Sequence, residues 1–162
     1  GGMTSRGIDA EIGTRPWHHF TVYASTEYLY ATTDNNLSYG GTTYNTAGKI
    51  ATSAPRWMAG SGLQYDDGTF FGNIVVKYVD REYSTFMNDQ HIPGHAQVDL
   101  AVGARGHDVG FVKAPSIRFN VVNLADKHYL SGMYQVTPTA AQAPQYYVGP
   151  MFACMVTVSA GF

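Results

Sequence analysis

No stretch of the chain approaches the roughly 18 consecutive apolar residues that a membrane-crossing helix requires. Charge is also scarce. Asp, Glu, Lys and Arg make up 14% of the 162 residues, well below the roughly one quarter usual in soluble domains. The ten Lys and Arg are scattered singly and the net charge is −2, so no nucleic-acid footprint exists. There is one cysteine, Cys154, on the apolar side of an alternating stretch. It reads as a small hydrophobe rather than a nucleophile or half of a disulfide. No Ser-His-Asp order, phosphate-cradling glycine loop or supported carboxylate pair occurs, so no enzyme is expected and no cofactor is implied. Gly1-Gly2-Met3 reads as a cut point rather than an export signal.

What the chain does have is tyrosine, glycine and alternation, with 12 Tyr, 18 Gly and 14% aromatic residues. The last stretch, Tyr147 to Phe162, shows the pattern most clearly. Phe152, Cys154, Val156, Val158, Ala160 and Phe162 share one face, and Ala153, Met155, Thr157, Ser159 and Gly161 the other. A period of two is the mark of a β-strand. The same period predicts strands at Ser5–Thr14, Phe20–Thr32, Arg56–Tyr65, Phe70–Tyr83, His95–Arg105 and Ser116–Asn123. Tight turns are expected at Arg15–His19 and at Asp66-Asp67-Gly68-Thr69, where Asp-Gly supplies a positive φ. Gly106–Pro115 is a turn as well. Asp34–Pro55 lacks any period and reads as a long loop, as does Leu124–Gln145, with Ser84–Gly94 between them in length.

Short and long connections alternate, which gathers the long loops at one end. The expected fold is all-β: an antiparallel up-and-down meander of about seven strands, part of a transmembrane β-barrel. A soluble sandwich or lipocalin-like barrel also alternates, but its polar face meets water and carries plentiful charge. Here the polar face is mostly Gly, Ser, Thr, Asn and Gln, which suits a wet lumen. The apolar face is bracketed by Tyr, Phe and Trp, which suits lipid with aromatic belts.

Several segments then match something specific. Asn123-Leu124-Ala125-Asp126-Lys127-His128-Tyr129 resembles the Asn-Leu-x-Asp-Lys-x-Tyr motif near the end of TonB-dependent outer-membrane receptors. Arg6-Gly7-Ile8-Asp9-Ala10-Glu11 is similar to a strand of the same barrels, with Asp9 replacing a Glu. Ala47-Gly48-Lys49 through Ala54-Pro55-Arg56, and Val98-Asp99-Leu100, stand where that family carries similar words. The terminal Phe162, with Val158 and Ala160, resembles the signal read by the barrel-assembly machinery, although Ala160 is smaller than usual there.

The resemblance implies a bacterial outer-membrane location, energy from TonB through a plug domain, and uptake of a ferric siderophore or similar solute. Nothing in these residues matches the family's plug or TonB box, and its barrels have roughly 22 strands. The sequence is therefore expected to be the C-terminal part of such a barrel (residues 1–162), unable to transport alone. The other expectation is a self-contained barrel of about eight strands with an adhesion or anchoring role. A soluble carbohydrate-binding β-domain is a third, minor reading. The candidate ligand-binding residues are the loop tyrosines Tyr39, Tyr44 and Tyr134 and the lumen-facing Arg81, with Glu27 and Arg56 beside it on the lumen side of the upper wall. No metal site is expected. His18 and His19 fall in a turn, and His91 and His95 lack a completing ligand.

Overall fold

A computed structural model describes residues 1–162. The chain forms β1 (Met3–Gly13) and β2 (Phe20–Thr33), then a small hairpin of β3 (Leu37–Tyr39) and β4 (Thr42–Tyr44). β5 (Trp57–Asp66) and β6 (Phe70–Val79) come next, followed by the short pair β7 (Glu82–Tyr83) and β8 (His91–Ile92). After β9 (His95–Arg105) and β10 (Lys113–Val122), β11 (Leu130–Gln135) and β12 (Gln145–Val148) bracket one 3-10 turn at Ala140–Gln142. β13 (Ala153–Gly161) is last.

Seven strands make one antiparallel sheet in the order β1-β2-β5-β6-β9-β10-β13. Its registers carry the side-chain alternation intact from strand to strand. One row on the apolar face runs Val22, Leu63, Ile74, Leu100, Val121, Cys154. The neighbouring row on the other face runs Thr21, Gln64, Asn73, Ala101, Asn120, Met155. A one-residue slip anywhere would exchange the two rows. The sheet does not close: β1 and β13 each have a free edge. The expectation of a self-contained small barrel is thus not met by this chain's own strands.

Both faces of the sheet are open. Ile8 is 74% exposed and Val158 73%, values that would invite aggregation in water but are natural against hydrocarbon. Burial sits elsewhere. Of 14 buried residues, most belong to the long connections or their strand ends, including Thr46, Ala51, Ser84, Thr85, Ile92, Asn123 and Thr137.

The opposite end is built from short turns. His18 and His19 both adopt positive φ (47° and 70°) between the bridged pair Trp17 and Phe20. In the next turn, Gly68 takes φ +93°, and the Asp67 carboxylate accepts N–H bonds from Thr69 and Phe70 at 2.9 and 2.6 Å. Arg105 reaches across from β9 to grip Asp66 with both terminal nitrogens, at 2.8 and 2.9 Å. Lys113 pairs with Asp108 at 3.2 Å in the third turn.

Several expectations need correction, among them the loop reading of Leu124–Gln145, which contains β11. The Asp34–Pro55 segment contains the β3–β4 hairpin, turned by Gly40 and Gly41 at φ +58° and +78°. The strand drawn from Phe70 to Tyr83 stops at Val79, because the Asp80 carboxylate accepts the Arg81 N–H at 2.8 Å and turns the chain. The final stretch is two strands, since Gly149-Pro150 breaks the ladder and Tyr147 pairs back onto β11. β10 begins at Lys113 rather than Ser116, with an irregularity where Ala114 takes φ 43°.

Candidate functional site

The long connections do not splay from the sheet as independent loops. Asn88, at φ 58°, accepts the Ile50 N–H and donates to the Ile50 carbonyl, both at 2.8 Å, so two loops are joined as if by a strand pair. Thr85 bridges to Thr137, and the Phe86 and Met87 N–H groups donate to the Thr137 and Pro138 carbonyls at 3.0 Å. Asp89 accepts the Ala140 N–H at 3.1 Å and the Thr85 hydroxyl at 2.6 Å. Ser84 meets the Tyr146 hydroxyl at 2.9 Å. Buried polar groups are thus satisfied across three connections, and that requires the connections to hold one arrangement.

Electrostatics in this block follow from contacts. Partial burial of the Asp89 carboxylate opposes its charge, but the Thr85 hydroxyl and the Ala140 amide outweigh it and hold its pKa below the usual range. Glu82, with no cation to offset its burial, is pushed up.

The Asn123–Tyr129 segment forms a clip at the top of β10. Asn123 is fully buried at φ 52°. Its side-chain amide donates to the Lys127 and Pro150 carbonyls at 3.0 and 2.9 Å, and its carbonyl oxygen accepts the Lys127 N–H at 3.0 Å. Its own N–H donates to Asp99 at 2.9 Å, and the Leu124 N–H to the Val98 carbonyl at 2.7 Å. Asp126 accepts the Phe152 N–H at 3.3 Å, so the motif joins the end of β10 to the start of β13. Tyr129 donates its hydroxyl to Gln97 at 2.6 Å and stacks on His95, with ring centroids 4.0 Å apart. Gly149 lies flat against that ring, where any side chain would collide.

The four candidate ligand residues are not brought together. Tyr39 projects, 60% exposed, from the β3–β4 hairpin. Tyr44 accepts a 3.4 Å bond from the Gln142 side chain. Tyr134, 67% exposed, meets Tyr147 edge-on at 5.8 Å. Arg81 stands apart from all three. It lines a cavity of about 320 Å³ with Tyr28, Ile50, Ala54, Arg56, Trp57, Asp80 and Tyr83. Arg56 and Arg81 were expected to face the lumen. The Arg56 guanidinium instead lies over the Tyr30 ring, 5.2 Å from its centroid, on the same strand face as Tyr28. Glu27 faces inward, beside a groove it shares with Asp9, Glu11, Ser25, Gly60 and Lys77. His91 and His95 engage the rings of Tyr83 and Tyr129 respectively.

Sequence reasoning missed the loop-to-loop ties. Gly40-Gly41 between Leu-Ser-Tyr and Thr-Thr-Tyr was a legible hairpin signal. Asn88 and Asp89 carried none, because their partners are remote in sequence.

A sheet with one continuous apolar face, one small-polar face, short turns at one end and long packed loops at the other is a segment of a transmembrane β-barrel wall. The family model described as "TonB dependent receptor-like, beta-barrel" matches residues 1–124, and the chain belongs to that family. Over 141 residues it is 25% identical to the ferrioxamine receptor of Yersinia enterocolitica, covering 85% of this chain and 19% of that protein. Its fold is similar to the siderophore receptor PiuA of Acinetobacter baumannii, with TM-score 0.78 and 15% identity over 96% of this chain and 21% of that one. It is likewise similar to the ferric preacinetobactin receptor BauA of the same species, with TM-score 0.76 and 20% identity over 98% of this chain and 22% of that one. The chain spans about a fifth of the length of each of these relatives.

Proposed function

We propose that this chain is the C-terminal part of the barrel wall of an outer-membrane TonB-dependent receptor that imports a ferric siderophore or similar solute. The observation that carries the reading is the 25% identity, over 85% of the chain, to a protein named for ferrioxamine. The two free sheet edges support a wall continued by further strands, since unpaired backbone cannot stand in hydrocarbon. The segment alone has no closed pore and would transport nothing.

In this reading the loop block faces the cell exterior and presents Tyr39, Tyr44 and Tyr134 to the solute, while a plug elsewhere in the receptor couples to TonB. Arg81 is the weakest of the four ligand candidates, given its cavity beside Tyr28 and Trp57. Phe162, Ala160 and Val158 would serve the assembly machinery, and they share the outward parity of Val156.

The test is iron uptake by cells expressing the full-length receptor, using radiolabelled iron on hydroxamate, catecholate and citrate carriers. At least one carrier should be taken up in a TonB-dependent manner, and Tyr44→Ala with Tyr134→Ala should weaken its binding. Absence of energy-dependent uptake for every carrier would refute an iron-siderophore role.

A further inference from the structure

The 3-10 turn Ala140–Gln142 hangs between two other connections. Its own bonds, from the Gln142 N–H to the Thr139 carbonyl at 3.2 Å and from the Thr139 N–H to the Gln142 side chain at 3.3 Å, set its shape but not its place. Its place comes from outside. The Ala140 N–H donates to the Asp89 carboxylate, 3.1 Å from each oxygen. At the far end the Gln142 side chain donates to the Tyr44 hydroxyl at 3.4 Å, across 98 residues of sequence.

Asp89 is itself fixed from below. Thr85 is fully buried, and its hydroxyl donates to Asp89 at 2.6 Å while accepting the Asp89 and Gln90 N–H groups at 3.2 and 3.3 Å. A hydroxyl donates once and accepts twice, so this one is fully used and leaves the carboxylate one orientation. The adjoining Asn88 grips Ile50, in the connection that carries the β3–β4 hairpin and Tyr44. The ties thus close a ring: Tyr44 runs along the chain to Ile50, Ile50 binds Asn88, Asp89 binds Ala140, and Gln142 returns to Tyr44. A closed ring preorganises its members, and opening it at one point frees the turn to swing. The Tyr44 hydroxyl accepts from Gln142 and has no protein acceptor for its own proton. Accepting one hydrogen bond makes a phenol a better donor, so this group is suited to an acceptor oxygen on a solute.

We propose that Asp89 is a positioning residue of the solute-facing rim: its carboxylate places the Ala140–Gln142 turn, and Gln142 then aims the Tyr44 hydroxyl at an oxygen of the solute. The solute's part in this rests on the import reading above. The placement of Tyr44 by Asp89 does not.

The experiment uses the full-length receptor, labelled with fluorotyrosine, placed in nanodiscs and read by fluorine NMR, with Tyr44→Phe identifying the Tyr44 line. Asp89→Ala should shift or broaden that line, and Gln142→Ala should do the same. Tyr39, exposed on the same hairpin, should keep its line in both. Asp89 is exposed, so its variants should fold; heat-modifiable gel mobility checks them. Ferrioxamine is the binding probe. Asp89→Ala should weaken its binding about tenfold, the worth of one well-placed hydrogen bond. Asp89→Asn keeps the oxygen that takes both the Thr85 hydroxyl and the Ala140 N–H, and it should recover most of that loss. In a Tyr44→Phe receptor, Asp89→Ala should cost nothing further. An unchanged Tyr44 line in Asp89→Ala, or Tyr39 and Tyr44 moving together, would overturn the proposal. So would an equal loss of binding with and without the Tyr44 hydroxyl, which would mean general loosening. A parent receptor that binds no ferrioxamine would count against import of that carrier, and the fluorine lines would still decide the role of Asp89.

Discussion

Leu100 offers the sharpest test of which face meets lipid. It is the central residue of β9, His95–Arg105, and lies between Ile74 and Val121 in the apolar row. With a rise of ~3.4 Å per residue and a tilt of ~45°, an eleven-residue strand spans ~24 Å, about the height of the apolar band of such barrels. Leu100 therefore falls at mid-bilayer. Placing Arg there should cost about 2–4 kcal/mol, a factor of roughly 30 to 900 in the folding equilibrium. Two residues along the strand move a side chain ~5 Å toward the interface, so Val98→Arg should cost less, and Ala96→Arg only about 0–1 kcal/mol.

The lumen control is Asn73→Arg, which faces Gln64 and Ala101 and makes no side-chain hydrogen bond. Gln97 is unsuitable as a control because its amide holds both Asp99 and the Tyr129 hydroxyl. The measurement is the folded fraction of full-length receptor in lipid vesicles, read by heat-modifiable mobility across a urea series. A graded loss along Leu100, Val98 and Ala96, with Asn73→Arg near the parent, supports the assignment. Equal losses at Leu100 and Asn73, or no gradient with depth, would refute it.

Asn123→Ala should destabilise the β11–β12 region by about 3 kcal/mol. It orphans two carbonyls and one N–H and forces Ala into a left-handed backbone. Limited proteolysis between residues 124 and 152 should accelerate in this variant, and in Gly149→Ala, which collides with the Tyr129 ring; unchanged cleavage would exclude the clip. The Asp67 turn should respond to acid. The Phe70 N–H, with the Tyr65 hydroxyl, holds the Asp67 carboxyl below its ordinary 3.8. A depressed carboxyl contributes stability above the unfolded value and loses it as pH falls through the folded one. Phe70 amide protection, corrected for intrinsic exchange, should therefore persist at about pH 5 and decline toward pH 2, and a flat profile would count against the contact.

How far the sequence was legible follows from where each signal is local. A strand with lipid on one side and water on the other writes its own two-residue period, so β1, β2, β5 and β9 stand in the chain almost as they stand in the sheet. Asp66-Asp67-Gly68-Thr69 spelled its turn for the same reason. Alternation misled at Tyr147–Phe162, because it continues past Gly149-Pro150 while the hydrogen-bond partner changes from β11 to β10. The loop ties were not legible: Asn88 to Ile50 spans 38 residues and Asp89 to Ala140 spans 51. Arg56 was assigned to the lumen by parity alone. Its long side chain reaches over Tyr30, a freedom the parity rule does not describe.

Connections between strands are usually where a protease cuts first, because they are solvated and loosely held. In this chain the block around Thr85, Asn88 and Thr137 should be an exception. The packed interior lies in the connections beyond the sheet, and the sheet itself, stripped of lipid, encloses almost nothing. Removal of the bilayer should therefore expose the wall before it exposes the loops. The crown around Thr85, Asn88 and Thr137 would be the last part of this segment to yield, and a push on any one of its loops would be felt by all three.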